Sequence, residues 1–170
     1  STNGLLRLLR LKTEAEEETV TEEEIRMMMD LGEAKGTIDS GEKEWIENVF
    51  DFGESTVRDV MIHASEVTAF PVDASDEEIE QVIRETGLSR YPVYEEDLQD
   101  ILGTVNAREF LLDRMNDHPR PLRELLRPAY FVPDTLKASA LMQDMQTKKI
   151  HIAIVIDEYG DTAGLVTMED

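Results

Sequence analysis

IHIAIVIDEYGDTAGLVTMED, residues 150–170, is the stretch whose reading decides the fold. Residues 150–156 form an apolar, partly β-branched run bounded by turn residues, the pattern of a buried strand. Asp157, Glu158, Tyr159, Gly160 and Asp161 follow as a turn, in which glycine can take a positive φ. Residues 162–166 return as a second strand. Thr167 stands at its end, with Glu169 and Asp170 close behind, so its hydroxyl is placed to cap a helix. The unpaired amides and positive dipole of such a helix start make this corner able to hold a phosphate.

An earlier segment has the same design. PVYEEDLQDILGTVNARE, residues 92–109, aligns without a gap on AIVIDEYGDTAGLVTMED, residues 153–170. Gly103 falls on Gly164, Val105 on Val166, Asn106 on Thr167 and Glu109 on Asp170. Upstream, VRDVM at 57–61 resembles LRELL at 122–126. The chain therefore holds one unit twice, and such copies complete a core together.

Other elements read in order. Leu5, Leu6, Leu8, Leu9 and Leu11 predict a short apolar helix, and residues 13–19 an acidic linker. Thr21 and Glu24 form a capping box for a helix with Ile25, Met28 and Met29 on its apolar stripe. Gly36 ends it, and Asp39 or Ser40 starts another, with Trp45, Ile46, Val49 and Phe50 on one face and Gly53 as its break. Residues 67–72 read as a strand. Ser75 with Glu78 caps a helix buried through Ile79, Val82 and Ile83 and stopped by Gly87. Pro119 and Pro121 mark the boundary between copies. Phe131 and Val132 open the second copy. Thr135 caps its helix, whose stripe is Ala138, Leu141, Met142 and Met145.

Composition narrows the function. The 170 residues include no cysteine, so neither a disulfide framework nor a thiolate metal site is available. A net charge of −21 argues against nucleic acid, whose binding needs Lys and Arg. It suits solubility, or attraction of divalent cations to carboxylates. The three methionines at 27–29 read as core packing, since thioethers without Cys or His make a poor metal site. His63, His118 and His151 form no ligand pair at helical spacing. The sequence has no nucleophile–base signature and no glycine-rich phosphate loop. No enzyme is expected.

The order strand, helix, strand, strand, then GLVTMED opening a helix, resembles the CBS domain, and two copies resemble a CBS pair. SRYPVYEEDLQDILG and AIVIDEYGDTAGLVTMED are similar to the CorC and hemolysin-related family of magnesium and cobalt efflux proteins, relatives of the cyclin M transport mediators. TNGLLRLLR and the block at 20–61 resemble that family's segment between membrane domain and CBS pair. The implied fold is α/β (mixed α+β): two β-α-β-β-α repeats in a pseudo-two-fold pair after an N-terminal helical segment. The expected boundaries are a connector at 1–53, repeat 1 at 54–117, and repeat 2 at 118–170, short of its last helix.

The resemblance implies a regulatory module that binds an adenine nucleotide, AMP or ATP, with or without Mg²⁺. Thr167 and Asp170 are expected on ribose and phosphate. Ser89, Arg90, Tyr91 and Pro92 are expected as the facing wall, in the loop before the first hairpin. Val67, Thr68 and Ala69 are expected beside the adenine on the first strand. Asn106 and Glu109 would form a weaker second site, and no metal site is expected. The family also implies a homodimer. It further implies a membrane domain outside this sequence and a place on the cytoplasmic side of the cell membrane. Two alternatives stay open: a structural dimerisation platform with an empty cleft, and a direct Mg²⁺ sensor. Thr167 and Asp170 could also do no more than cap a helix.

Overall fold

The computed structural model describes residues 2–5 and 19–168. It consists of two units, residues 1–51 and 52–170. The predicted leucine-rich helix and acidic linker fall mainly on residues 6–18, outside the described residues.

The first unit carries helix α1 (Glu22–Ala34) and most of helix α2 (Ser40–Glu54). Thr21 accepts the Glu24 amide at 3.2 Å, one half of the expected capping box. Asp39 accepts the Glu42 amide at 2.8 Å, and Glu42 accepts the Asp39 amide in return. Lys43 joins the helices through Asp30 at 2.7 Å and Glu33 at 2.9 Å. Bonding to Asp30, then Glu33, raises its pKa above the ordinary lysine range. Of the predicted apolar stripes, Met29 is buried, whereas Ile25, Met28, Trp45, Ile46 and Val49 are exposed. Gly53 does not break α2, which runs on to Glu54. The helix ends next to Ser55, whose carbonyl receives the Ala138 amide at 2.9 Å.

The second unit runs α3 (Val57–Val60), β1 (Ile62–His63), β2 (Phe70–Pro71), α4 (Asp76–Thr86), β3 (Arg90–Tyr94), β4 (Ile101–Asn106) and α5 (Ala107–Arg114). It continues through β5 (Phe131–Pro133), α6 (Ala138–Lys148), β6 (Ile152–Ile156) and β7 (Thr162–Thr167). One sheet has the order β1-β7-β6-β5 and the other β2-β3-β4. In each, a parallel pair brackets a helix and an antiparallel hairpin follows. The predicted strand at 67–72 is reduced to Phe70–Pro71, because residues 64–66 wind into a 3₁₀ turn first. Val67, Thr68 and Ala69 thus lie in irregular chain before the strand.

The ungapped alignment of the hairpins needs correcting by one residue. Val93 pairs with Gly103, and Val155, not Ile154, pairs with Gly164. The loop at 95–100 is one residue longer than the loop at 157–161, and absorbs the difference. The helix ends agree with this register: Gly87 and Lys149, both at positive φ, close α4 and α6.

Each repeat lends its leading segment to the other. β1 pairs antiparallel with β7, and Arg127 bridges Thr104 of β4. Val57 is buried with Val132, Leu141, Met145, Ala153 and Val155 of the second repeat. Leu122 and Leu125 are buried with Phe70, Ile79, Tyr91 and Phe110 of the first. Burying one such aliphatic side chain is worth about 1.5–3 kcal/mol. A β-carbon on Gly164 would stand 2.1 Å from the Ile62 carbonyl oxygen, and one on Gly103 would stand 2.5 Å from that of Arg127. The two crossings are thus related by the same pseudo-symmetry as the sequence repeat.

The crossing also displaces a predicted cap. Thr135 lies in a turn, and α6 starts at Ala138 without a side-chain cap. A side-chain cap is not needed there, since the Ser55 carbonyl of the other repeat takes the Ala138 amide. By contrast, Ser75 and Glu78 cap α4 reciprocally, at 3.2 and 2.9 Å. Between the repeats Asp113, 4% exposed, accepts from the Arg120 backbone and side chain and from Arg114. Arg114 stacks over Phe110 at 4.4 Å. This clasp fixes the connecting loop.

Gly164→Ala and Gly103→Ala should each destabilise the fold by about 1–3 kcal/mol, the cost of forcing extra volume against packed backbone. Gly53→Ala should do the reverse, adding about 0.5–1 kcal/mol, because it sits in a helix with open space around it. Urea unfolding of the three variants reads both signs. Arg120 hydrogen bonding holds the Asp113 carboxyl below its ordinary range. Such a group stabilises the fold above its unfolded pKa and loses that effect as pH falls through the folded value. Asp113→Asn should therefore lower stability at neutral pH, and the gap to the unsubstituted protein should narrow below about pH 4. A gap that stays constant on acidification would show that the Asp113 charge is not what the clasp uses.

Candidate functional site

Val67, Thr68, Ser89, Arg90 and Thr167 meet around one recess of about 100 Å³. Ile62, Glu66, Leu88 and Leu165 complete its lining. Thr167 and Leu165 come from β7 of the second repeat; the rest come from the first. What joins them is the β1–β7 pairing, in which Ile62 lies opposite Leu165. The 3₁₀ turn after β1 then carries residues 66–68 across the recess, and the start of β3 brings Ser89 and Arg90 to it.

Not every expected wall residue is there. Arg90, Tyr91 and Pro92 belong to β3 itself, not to a loop before it. The Tyr91 side chain is fully buried in the first repeat's core, its ring 4.9 Å from Phe70 and its hydroxyl 2.7 Å from the Thr86 hydroxyl. Strand alternation explains this: Arg90 and Tyr91 point to opposite faces. Pro92 is fully buried as well. Ala69 lines a neighbouring cavity, beside Glu96 and Asp97, that shares only Val67 with the recess. Asp170 lies outside the described residues.

Asn106 and Glu109 line two different hollows rather than one. The Asn106 side chain accepts the Glu109 amide at 3.1 Å, so it caps α5. The Glu109 carboxylate is paired with Arg127, which occupies the place that Ile62 holds in the other repeat. Ile62, Glu66, Leu88 and Leu165 were not foreseen. Leu88 adjoins Ser89 and could have been inferred, but Ile62 and Glu66 depend on a pairing between repeats that no local pattern announces.

Chemically, the lining combines the hydroxyl-bearing Thr68, Ser89 and Thr167 and the charged Arg90 and Glu66 with the apolar Ile62, Val67, Leu88 and Leu165. That suits a ligand with an apolar plane at one end and an anion or hydroxyls at the other. Among the described residues no group of three or more His, Cys, Asp or Glu could hold a metal ion, and no helix is long and apolar enough to cross a membrane.

Comparison with known proteins agrees with the architecture. The family model of the CBS domain matches residues 57–115 and 122–170. UPF0053 protein sll0260 of a Synechocystis species is 34% identical over 170 residues, all of this chain and 38% of that protein. The chain therefore spans about two fifths of the length of this relative. The CBS domain of a bacterial CNNM/CorC family Mg²⁺ transporter superposes with a TM-score of 0.79 at 36% identity, covering 89% of this chain and 93% of that one. The same description in complex with ATP gives a TM-score of 0.69 at 36% identity, covering 76% and 92%. A CBS-domain pair from Klebsiella pneumoniae with bound AMP gives 0.61 at 26% identity, covering 69% and 94%. With two matched repeats in one interleaved unit, the chain belongs to the CBS-domain family and is a CBS pair of the CorC/CNNM kind.

Proposed function

We propose that this CBS pair is the regulatory, adenine-nucleotide-binding module of a membrane-associated divalent-cation transport protein. The observation that carries this reading is the recess itself, where Thr167 of one repeat faces Thr68, Ser89 and Arg90 of the other. Similar chains with ATP and AMP bound support the choice of ligand. Similarity to Mg²⁺ transporter domains supports the choice of system. Thr167 would hold phosphate or ribose, and Asp170, three residues on, would accept from the ribose hydroxyls. Val67 and Thr68 would flank the base. The protein would take no part in a covalent step. Its role would be to bias a membrane domain, on the cytoplasmic side, according to which nucleotide is bound.

Glu109 explains why the second site would be the weaker one. Its carboxylate already has a partner in Arg127, and a ribose would have to displace it. An exposed pair of this kind costs only about 0–1 kcal/mol to break. The difference between the sites would then be one of degree. The pair would also form a homodimer through apolar side chains that it exposes. Light scattering at micromolar concentration should return twice the chain mass; a monomer would count against the dimer.

Calorimetric titration with AMP and ATP, with and without Mg²⁺, tests the nucleotide reading. Thr167→Val and Asp170→Asn should each weaken binding by about 1–3 kcal/mol, as expected for removing one partner of a polar contact. ATP should depend on Mg²⁺ more than AMP does, because the ion offsets repulsion between the extra phosphates and an acidic surface. Saturating nucleotide, at about 100 times its dissociation constant, should stabilise the fold by about 2.7 kcal/mol and raise the melting point by roughly 5–10 °C. If no adenine nucleotide moves the melting point, the structural-platform alternative is the better account.

A further inference from the structure

Arg108 is a cation that the nucleotide reading leaves unused. It is the second residue of α5, is exposed, and lines a trough of about 570 Å³ together with Leu88, Ser89, Arg90 and Asn106. Leu88, Ser89 and Arg90 also line the recess at Thr167. Recess and trough therefore adjoin along a shared wall. The recess holds about 100 Å³, below the few hundred Å³ of a typical ligand pocket. A nucleotide fits it only in part and must continue into adjoining space, and the trough is such a space.

The charge pattern says which part of a ligand suits the trough. Acidic residues outnumber basic ones by 38 to 17, and among the described residues most arginines are drawn into ion pairs. Arg26, Arg58, Arg114, Arg120, Arg123 and Arg127 each have a carboxylate partner. Among the described residues Arg108 has none. Asn106, whose side-chain oxygen is taken by the Glu109 amide, keeps an NH₂ donor beside it. A guanidinium can grip a phosphate through two parallel hydrogen bonds, which a point charge cannot.

We propose that Arg108 holds the outer phosphates of a nucleoside di- or triphosphate whose sugar end sits at Thr167, and so sets the preference for polyphosphate over monophosphate. This rests on the nucleotide reading above and adds the residue that discriminates between its ligands. Arg90, on the shared wall, serves every nucleotide; Arg108 serves only those long enough to cross into the trough.

The test is calorimetry with the Mg²⁺ complexes of ADP and ATP and with AMP, on the unsubstituted protein, Arg108→Gln and Arg90→Gln. Arg108→Gln should weaken ADP and ATP by roughly tenfold while AMP stays within about twofold, the size expected for losing one charge-assisted contact. Arg90→Gln should weaken all three. Unchanged melting of ligand-free Arg108→Gln confirms that its fold is intact. An ATP-to-AMP affinity ratio that Arg108→Gln leaves as it was, whether both ligands weaken together or neither does, overturns the proposal. If the unsubstituted protein binds none of the three, the nucleotide reading fails and this proposal falls with it.

Discussion

Two backbone carbonyls, those of Ile62 and Arg127, lie where any side chain on Gly164 or Gly103 would have to go. Everything else in the second unit follows from that contact. Because the backbones touch, β1 can pair with β7, and Arg127 can bridge β4. Because they pair, Val57 reaches the second repeat's core and Leu122 and Leu125 reach the first. A repeat taken alone would leave those core positions unfilled. The pair is therefore one folding unit built from two similar sequences, as expected when neither copy can bury its apolar face by itself.

The same contact makes the recess. Thr167 ends a strand of one repeat, while Val67, Thr68, Ser89 and Arg90 belong to the other. Only the crossing of β1 over β7 brings the turn at 64–66 above that strand end. A ligand held there would touch both repeats, so its binding would depend on how they sit against each other. Such a ligand would shift an equilibrium between two arrangements of the repeats only through a difference in its affinity for them.

Electrostatics then sort the surface. With so many carboxylates, an arginine usually finds a partner. Glu109 takes Arg127, Asp113 takes Arg114 and Arg120, and Glu95 takes Arg123. These exposed pairs add little stability each. Their larger effect is to use up much of the positive charge, while Arg108 has no carboxylate partner among the described residues. The buried member, Asp113, differs: leaving it without its arginines would strand a carboxylate away from water.

The sequence by itself determined the repeat, both hairpins, the reciprocal cap of Ser75 and Glu78, and the family. These depend on local pattern: apolar runs, turn residues and spacing along the chain. Most of the recess was also legible, because Thr167, Ser89 and Arg90 lie at the ends of elements whose position in the repeat is fixed. The tertiary structure decided what depends on contact between repeats. Ile62 and Glu66 line the recess only through a pairing of residues about a hundred positions apart. Tyr91 turned into the core because strand alternation sends it away from Arg90. Thr135 lost its capping role because a carbonyl of the other repeat supplies the acceptor. The one-residue offset between hairpins stayed hidden because a loop can absorb it without changing the apolar pattern on either side, and only strand register reveals where the extra residue went.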